Sequence, residues 1–459
     1  MPDQDEQDEH VDVVVIGMGP GGEEVAGKLA EAGLTVVGVE AELVGGECPY
    51  WGCVPSKMMI RGSNLLAEAR RIDGVAGTAT VEPDLAPVAK RIRAEATDDW
   101  DDKVAADRFE DKGGRLVRGS ARVDGPGRVV VGDRSFKARR GIVLASGSAP
   151  VVPPIPGLDT TPHWTNREAI AAKATPSSLI VLGGGAIGLE LAQMFARFGS
   201  AVTVVEGLDR LLGPEEPEAS ALVTEALERD GVTVLTGAKA VQVAREGDVT
   251  VVTMEGGTTA RGTELLVSVG RRARVAELGL DTIGMDPEAK TVEVDDRMRA
   301  GDGVWAVGDV TGVGMFTHMA MYQAGIAIAD ILDKPGEPAD YRGLARVTFT
   351  DPEVGSVGMT EKAARDAGLD VRIGVAKVAS SARGWIHGPG GDGIIKLVED
   401  AGQGLLVGAT SAGPVGGEVL SMLTLAVHAR VPTATLRTMV YAYPTFHGGV
   451  LDALGDLDA

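Results

Sequence analysis

The chain has 459 residues, too many for one compact core, so about two to four domains are expected. Lysine and arginine number 44 against 66 acidic residues, and a net charge of −22 repels phosphate backbones and anionic lipid, which excludes nucleic acid and membrane surfaces as expected partners. Aromatic residues make up 4% and glycines number 64, a balance that favours an α/β protein with many tight turns over an aromatic-rich sandwich.

Residues 1–10, MPDQDEQDEH, are acidic and polar, lack the basic-then-apolar order of a signal peptide, and are expected to form a disordered tail. With no apolar run of spanning length either, the expected location is the cytoplasm. Residues 11–17, VDVVVIG, read as a strand ending in glycine, and the helical spacing of GMGPGGEEVAGKLAEAG follows. Gly17, Gly19 and Gly22 form GxGxxG between strand and helix, and the next strand, TVVGVE, ends in Glu40. A strand, glycine turn, helix, strand and acid in this order form a dinucleotide-binding unit. The glycines admit a pyrophosphate to the helix N-terminus, and the acid meets a ribose.

GGECPYWGCVPSK, residues 45–57, carries Cys48 and Cys53, the only cysteines in the chain. In a reducing compartment such a pair is more often catalytic or metal-binding than a structural staple. A metal needs about four ligands, and no second CxxC or HxxxH pattern supplies them, so no metal site is expected. Tyr50 and Trp51 lie between the cysteines; they either pack beneath the first domain or narrow the approach to Cys48.

IVLASGSAPVVPPIPG, 142–157, reads as strand, turn and proline-rich crossover at a domain boundary. The dinucleotide pattern then recurs in SLIVLGGGAIGLELAQMFARFGSAVTVVE, with Gly183, Gly185 and Gly188 and a terminal Glu206. Two such units imply two dinucleotides, as in a flavoprotein reduced by a nicotinamide. LLVSVGRRARVAELGL, 265–280, mirrors the first crossover, and GVWAVGDVTG, 303–312, is a strand ending at Gly308 and Asp309. From about Val347, VTFTDPEVGSVGMT, DGIIKLVED and GQGLLVGATSAGP read as antiparallel strands before a helical EVLSMLTLAVHA, a separate α+β domain.

GxGPGG, GGxCxxxxGCVPSK, ASGSxP, GGGxIGLE, AVGDV and FTDPEVGSVGMTE occur here in one order from about residue 11 to 450. In these motifs the chain resembles the pyridine nucleotide-disulfide oxidoreductases, the family of dihydrolipoamide dehydrogenase, glutathione reductase and mercuric reductase. The resemblance implies two Rossmann-type dinucleotide-binding domains and a C-terminal α+β dimerisation domain. It divides the chain into an FAD-binding domain at 11–155, an NAD(P)-binding domain at 156–274, a central segment returning to the FAD domain at 275–345, and the dimerisation domain of a homodimer at 346–459. It assigns FAD to Gly17, Gly19, Gly22, Glu40, Gly147, Asp309, His318 and Ala320, and NAD(P) to Gly183, Gly185, Gly188, Glu206 and Gly270.

The same resemblance implies a Cys48–Cys53 disulfide, with Cys53 as the thiolate beside the flavin and Cys48 as the interchange thiol. Pro55 suits the first turn of a helix beginning at about Val54, whose positive end would favour the Cys53 thiolate. Lys57, one turn on, would reach the flavin and pair with Glu190. The match fails at YAYPTFHGGV, 441–450, where Tyr443 stands at the family's histidine and Gly448 at its glutamate. Tyrosine, with an ordinary pKa of about 10, is a poor base near neutral pH. His447 is the alternative proton handler.

These readings together point to an FAD-dependent NAD(P)H oxidoreductase that passes electrons through a redox-active Cys48–Cys53 pair to an unidentified disulfide or other electrophile. The alternatives are a diaphorase or quinone reductase, a dihydrolipoamide dehydrogenase, and an FAD-holding redox sensor.

Overall fold

The computed structural model describes residues 8–457, which fall into two compact units. One comprises the chain up to Pro55 together with Arg91–Pro150 and Arg271–Asp340; the other comprises Ser56–Lys90, Val151–Gly270 and the chain from Tyr341 onward.

The first unit is built on an eight-stranded sheet. Glu9–Ile16 lies between Val36–Glu40 and Arg134–Leu144, parallel to both, with Val14 opposite Val37 and Ile142. Val13, Val14 and Val15 are wholly buried, as expected of a parallel strand covered on both faces. Val304–Ala306 joins this sheet parallel to Arg134–Leu144, so the later stretch of chain completes the earlier sheet. The apolar core runs from Val11 and Val37 through Phe136 and Ile142 to Val304 and Val310. On one side, helix Pro20–Glu31 lies close to helix Thr317–Ile331: a Cβ placed on Gly21 would stand 3.2 Å from the Ala320 methyl.

The second unit holds a four-stranded parallel sheet in the order Thr233–Leu235, Ala201–Val205, Ser178–Leu182, Glu264–Val267. It also holds a five-stranded antiparallel sheet whose strands run Ala345–Thr348, Glu353–Gly358, Leu405–Gly413, Ile394–Asp400, Val371–Lys377. Helices Gly416–His428 and Gly448–Asp456 supply Leu420, Leu423, Val450 and Leu454 to the core of that sheet.

Two details depart from expectation. The first strand begins at Glu9, where Glu9 pairs with Phe136, so residues 9 and 10 lie in the sheet and not in the tail expected over 1–10; residues 1–7 of that expectation lie outside the described ones. Ser56–Lys90 packs in the second compact unit. Polar side chains anchor it there: Arg70 donates to the Arg197 carbonyl at 2.9 Å, Arg197 to Asn64 at 2.7 Å, and Arg71 to Asp351 at 2.7 Å. Strand Val371–Lys377, absent from the expected set, completes one edge of the antiparallel sheet. Among the described residues no helix is long and apolar enough to cross a membrane.

Candidate active site

In the first unit the strand Glu9–Ile16 gives way to Gly17 at φ +94°, where a Cβ would lie 2.4 Å from the Ala145 oxygen. A Cβ on Gly22 would lie 1.9 Å from the Gly17 oxygen. Both positions therefore require glycine. Helix Pro20–Glu31 starts from Gly19 with no side chain capping its first N–H groups, which leaves them for an anion. Glu40 closes the cradle. Its carboxylate accepts from the Met18 and Glu42 N–H groups, each at 2.7 Å, and its remaining lone pairs suit ribose hydroxyls. Burial raises the Glu40 pKa and outweighs those two donors. These residues fit the adenosine and pyrophosphate of FAD.

Further along the same unit, Gly147, at φ +71°, leads into Ser148, whose hydroxyl donates to Asp309 at 2.5 Å. Arg271 donates to the Ser148 hydroxyl at 2.8 Å and lies 3.5 Å from Glu47, the residue before Cys48. Gln323, fully buried, accepts the Gly308 N–H at 2.7 Å and fixes the turn that carries Asp309. Ala320 is buried beside Gly21 and Gly308. His318 is exposed and stacks on Phe316 at 5.2 Å between centroids.

Cys48 sits in the short helix Glu47–Trp51, and Cys53 opens the helix Cys53–Arg70, one residue earlier than expected. A Cβ on Gly46 would approach the Gly19 Cα to 2.8 Å, so the dithiol turn lies against the phosphate-binding turn. Both sulfurs are free thiols here, Cys48 half-buried and Cys53 exposed. A hydrogen bond to Cys53 pushes the Cys48 thiol far up, burial adds to this, and a hydrogen bond from Thr317 opposes it. The Thr317 hydroxyl lies 3.3 Å from Cys53 Sγ.

The second unit repeats the cradle. Gly183, at φ +103°, and Gly188 stand too close to the Ser268 and Gly183 oxygens for a Cβ, while Gly185 begins helix Ala186–Arg197 without a side-chain cap. Glu206 accepts the Gly184 N–H at 2.5 Å and the Leu208 N–H at 2.7 Å, repeating the arrangement at Glu40. Arg210 is turned to the Leu212 and Gly213 carbonyls, at 3.2 and 2.6 Å. Gly270 takes φ +132° and accepts the Val151 N–H at 3.0 Å.

Also in this unit, Lys57 Nζ lies 2.8 Å from Glu190 and 4.5 Å from the centre of the Phe349 ring. The other Glu190 oxygen accepts the Phe349 N–H at 2.8 Å, so this buried carboxylate is satisfied twice.

Tyr443 is 84% exposed and precedes a cis proline, Pro444. His447 is half-buried at the start of helix Gly448–Asp456. The two are separated by a turn, so they do not share a helix face. Sequence reasoning missed Ser148, Arg271, Gln323 and Thr317. Thr317 and Gln323 stand in the stretch THMAMYQAG beside His318, but their roles depend on partners distant in sequence.

Residues 11–324 match the family model described as pyridine nucleotide-disulphide oxidoreductase, and 344–454 match its dimerisation domain. Dihydrolipoyl dehydrogenase of Chlorobaculum tepidum is 36% identical over 458 residues, covering 97% of this chain and 96% of its own. Mercuric reductase of Bacillus cereus is 30% identical over 453 residues, covering 97% of this chain and 71% of its own. Among solved structures, the HOCl-induced flavoprotein disulfide reductase RclA of Escherichia coli matches with a TM-score of 0.84 at 26% identity, over 97% of this chain and 98% of its own. The two glycine cradles, the thiol pair and these matches agree, and the chain belongs to the FAD- and NAD(P)-dependent pyridine nucleotide-disulphide oxidoreductases.

Proposed function

We propose that this oxidoreductase takes electrons from NADH and delivers them through Cys48 and Cys53 to a disulfide or other electrophile distinct from lipoamide. The observation that carries the reading is the pair of thiols in one turn packed against the phosphate-binding glycine turn, with Cys53 exposed and the Thr317 hydroxyl 3.3 Å from its sulfur. Bound FAD supplies two-electron exchange between the nicotinamide and the sulfur pair.

The residues divide the remaining work. Cys48 Sγ attacks one acceptor sulfur, the acceptor S–S bond breaks, and the departing thiolate takes a proton. Cys53 Sγ then displaces the second acceptor thiolate, and the Cys48–Cys53 bond forms. Two acceptor thiols leave with the two protons of the dithiol. Thr317 holds Cys53 through its hydroxyl. Tyr443 lies exposed on the dimerisation domain, which suits a residue serving the site of a second copy in a homodimer. As a phenol it donates a hydrogen bond to a leaving sulfur but does not serve as a base near neutral pH. Lys57 and Glu190 form the charged pair next along the Cys53 helix, and the FAD, NAD(P) and dimerisation parts follow the boundaries given above. A cytoplasmic location belongs to the same reading.

The name of the Chlorobaculum relative favours a second reading, in which dihydrolipoamide is the substrate. An acceptor screen of the purified protein with NADH separates the two. The first reading expects turnover with a disulfide or a soft electrophile and poor turnover with lipoamide and glutathione disulfide. Fast lipoamide turnover selects the second. Turnover with quinones alone removes the dithiol from the route.

A further inference from the structure

The aromatic residues between the cysteines are gripped by a segment that the chemistry above leaves unused. Ile92–Ala96 is a π-helical turn, and Asp98, Asp99 and Trp100 follow with φ of 47°, 55° and 62°. Side chains crowd the backbone in this left-handed region, so three such residues in succession persist only where their surroundings over-determine them. Those surroundings include the dithiol turn. The Trp100 indole stacks on Trp51 with centroids 5.1 Å apart and planes at 18°, and its Nε1 donates to the Tyr50 carbonyl at 3.3 Å. Two residues on, the buried Asp102 accepts the Val44 N–H at 2.6 Å. Arg118 holds Asp102 by two bonds, at 2.6 and 2.7 Å, and also donates to the Glu42 carbonyl at 3.1 Å. Arg93 pairs with Asp99 and lies 5.1 Å from the Trp100 ring centre. The segment therefore holds the chain on both sides of Cys48.

We propose that Trp100 is a positioning residue for the dithiol: by stacking on Trp51 and holding the Tyr50 carbonyl, it fixes the short helix Glu47–Trp51 and keeps Cys48 within reach of Cys53. This rests on the reading of the two thiols as the redox pair. A helix of five residues between Gly46 and Gly52 has too few internal hydrogen bonds to hold itself. Sulfurs already set side by side close into a bond with little further loss of freedom, so a looser turn makes the disulfide less favoured. A looser turn also separates Cys48 from the partner that holds its proton.

The experiment equilibrates the FAD-bound full chain in glutathione redox buffers and counts free thiols by alkylation and mass spectrometry. Trp100→Ala is expected to lower the ratio [GSH]²/[GSSG] at half-oxidation by about fivefold or more, and Trp100→Phe to stay within about twofold of wild type. In the dithiol state, the pH profile of Cys48 alkylation moves to lower pH in Trp100→Ala. Trp51→Ala removes the other half of the stack, leaves Asp98–Asp102 untouched, and is expected to give the same two shifts if Trp100→Ala does not fold. A wild type that forms no Cys48–Cys53 bond at any ratio overturns the redox-pair reading. A wild type that forms it, with both alanine variants matching it in midpoint and alkylation profile, overturns the role of Trp100 alone.

Discussion

A phenol at position 443 changes how protons are handled when sulfur bonds exchange. A positioned base contributes about a hundred- to ten-thousand-fold to such a step, and tyrosine near neutral pH offers only a hydrogen bond. Tyr443→His combined with Gly448→Glu is therefore expected to raise dihydrolipoamide oxidation by about tenfold or more, measured as NADH formation. Tyr443→Phe lowers turnover with the true acceptor several-fold if the hydroxyl donates to the leaving sulfur. Unchanged lipoamide activity in the double variant would show that the substitution does not redirect the enzyme. The nicotinamide is decided by residues as local as this one. Glu206 ends the second cradle as a carboxylate that favours a ribose 2′-hydroxyl and repels a 2′-phosphate. Arg210, four residues on, gives its guanidinium to two backbone carbonyls. Higher kcat/KM for NADH than for NADPH is the expected outcome, and the reverse order removes Glu206 as the selector.

At the scale of elements, legibility followed the range of the interactions. The two cradles could be read because strand, glycine turn, helix and acid are contiguous, although the atoms that crowd Gly17 and Gly183 come from distant residues, Ala145 and Ser268. The thiol pair could be read for the same reason, through its place in one quoted stretch. The grip of Trp100 on Trp51 could not, because it joins two loops through a left-handed turn that no sequence pattern marks. The allegiance of Ser56–Lys90 was hidden likewise, since it depends on Arg197 and Asp351. That second cluster makes a testable case. Asp351 accepts from Arg71 and Arg197, each at 2.7 Å, and Arg197 is 1% exposed. Burial alone would raise the Asp351 pKa, but the two guanidinium groups outweigh it and hold the carboxyl below its ordinary value. With the folded pKa depressed, its stabilisation is present in full above about pH 4 and is lost as the pH falls through the folded value. Asp351→Asn should lower stability by about 2–4 kcal/mol at pH 7. Urea unfolding at pH 7 and pH 3 checks this: the gap between wild type and variant should close at the lower pH.

For the molecule as a whole, a charge of −22 raises the question of how acidic groups are accommodated inside. One answer lies in the second unit. Lys396, on strand Ile394–Asp400, is 2% exposed and lies within 3.0 Å of three carboxylates, those of Glu216, Glu218 and Glu361. Glu216 is also buried, and its other oxygen accepts the Glu361 N–H at 2.6 Å. Burial would lower the lysine pKa; hydrogen bonds to the three carboxylates outweigh it and raise it. A raised folded pKa means that the lysine's contribution is complete below about pH 10 and is lost only as pH climbs through the folded value, so it is constant through the neutral range. The sequence DGIIKLVED showed a strand but not this role, because the carboxylates come from the starts of two helices elsewhere in the chain, Pro217–Arg229 and Glu361–Asp366. Lys396→Met keeps the length and apolar stem of the side chain but leaves three like charges together, one of them buried. Breaking such a pair costs about 3–5 kcal/mol. The midpoint of thermal unfolding should fall by roughly 4–8 °C at pH 7.5. Acid then relieves the variant more than the wild type, because unpaired carboxylates crowded together protonate above their ordinary values. The gap should therefore narrow between pH 7.5 and pH 4.5, and a gap that stays constant over that range would mean that lost packing, not charge, is what Lys396 contributes.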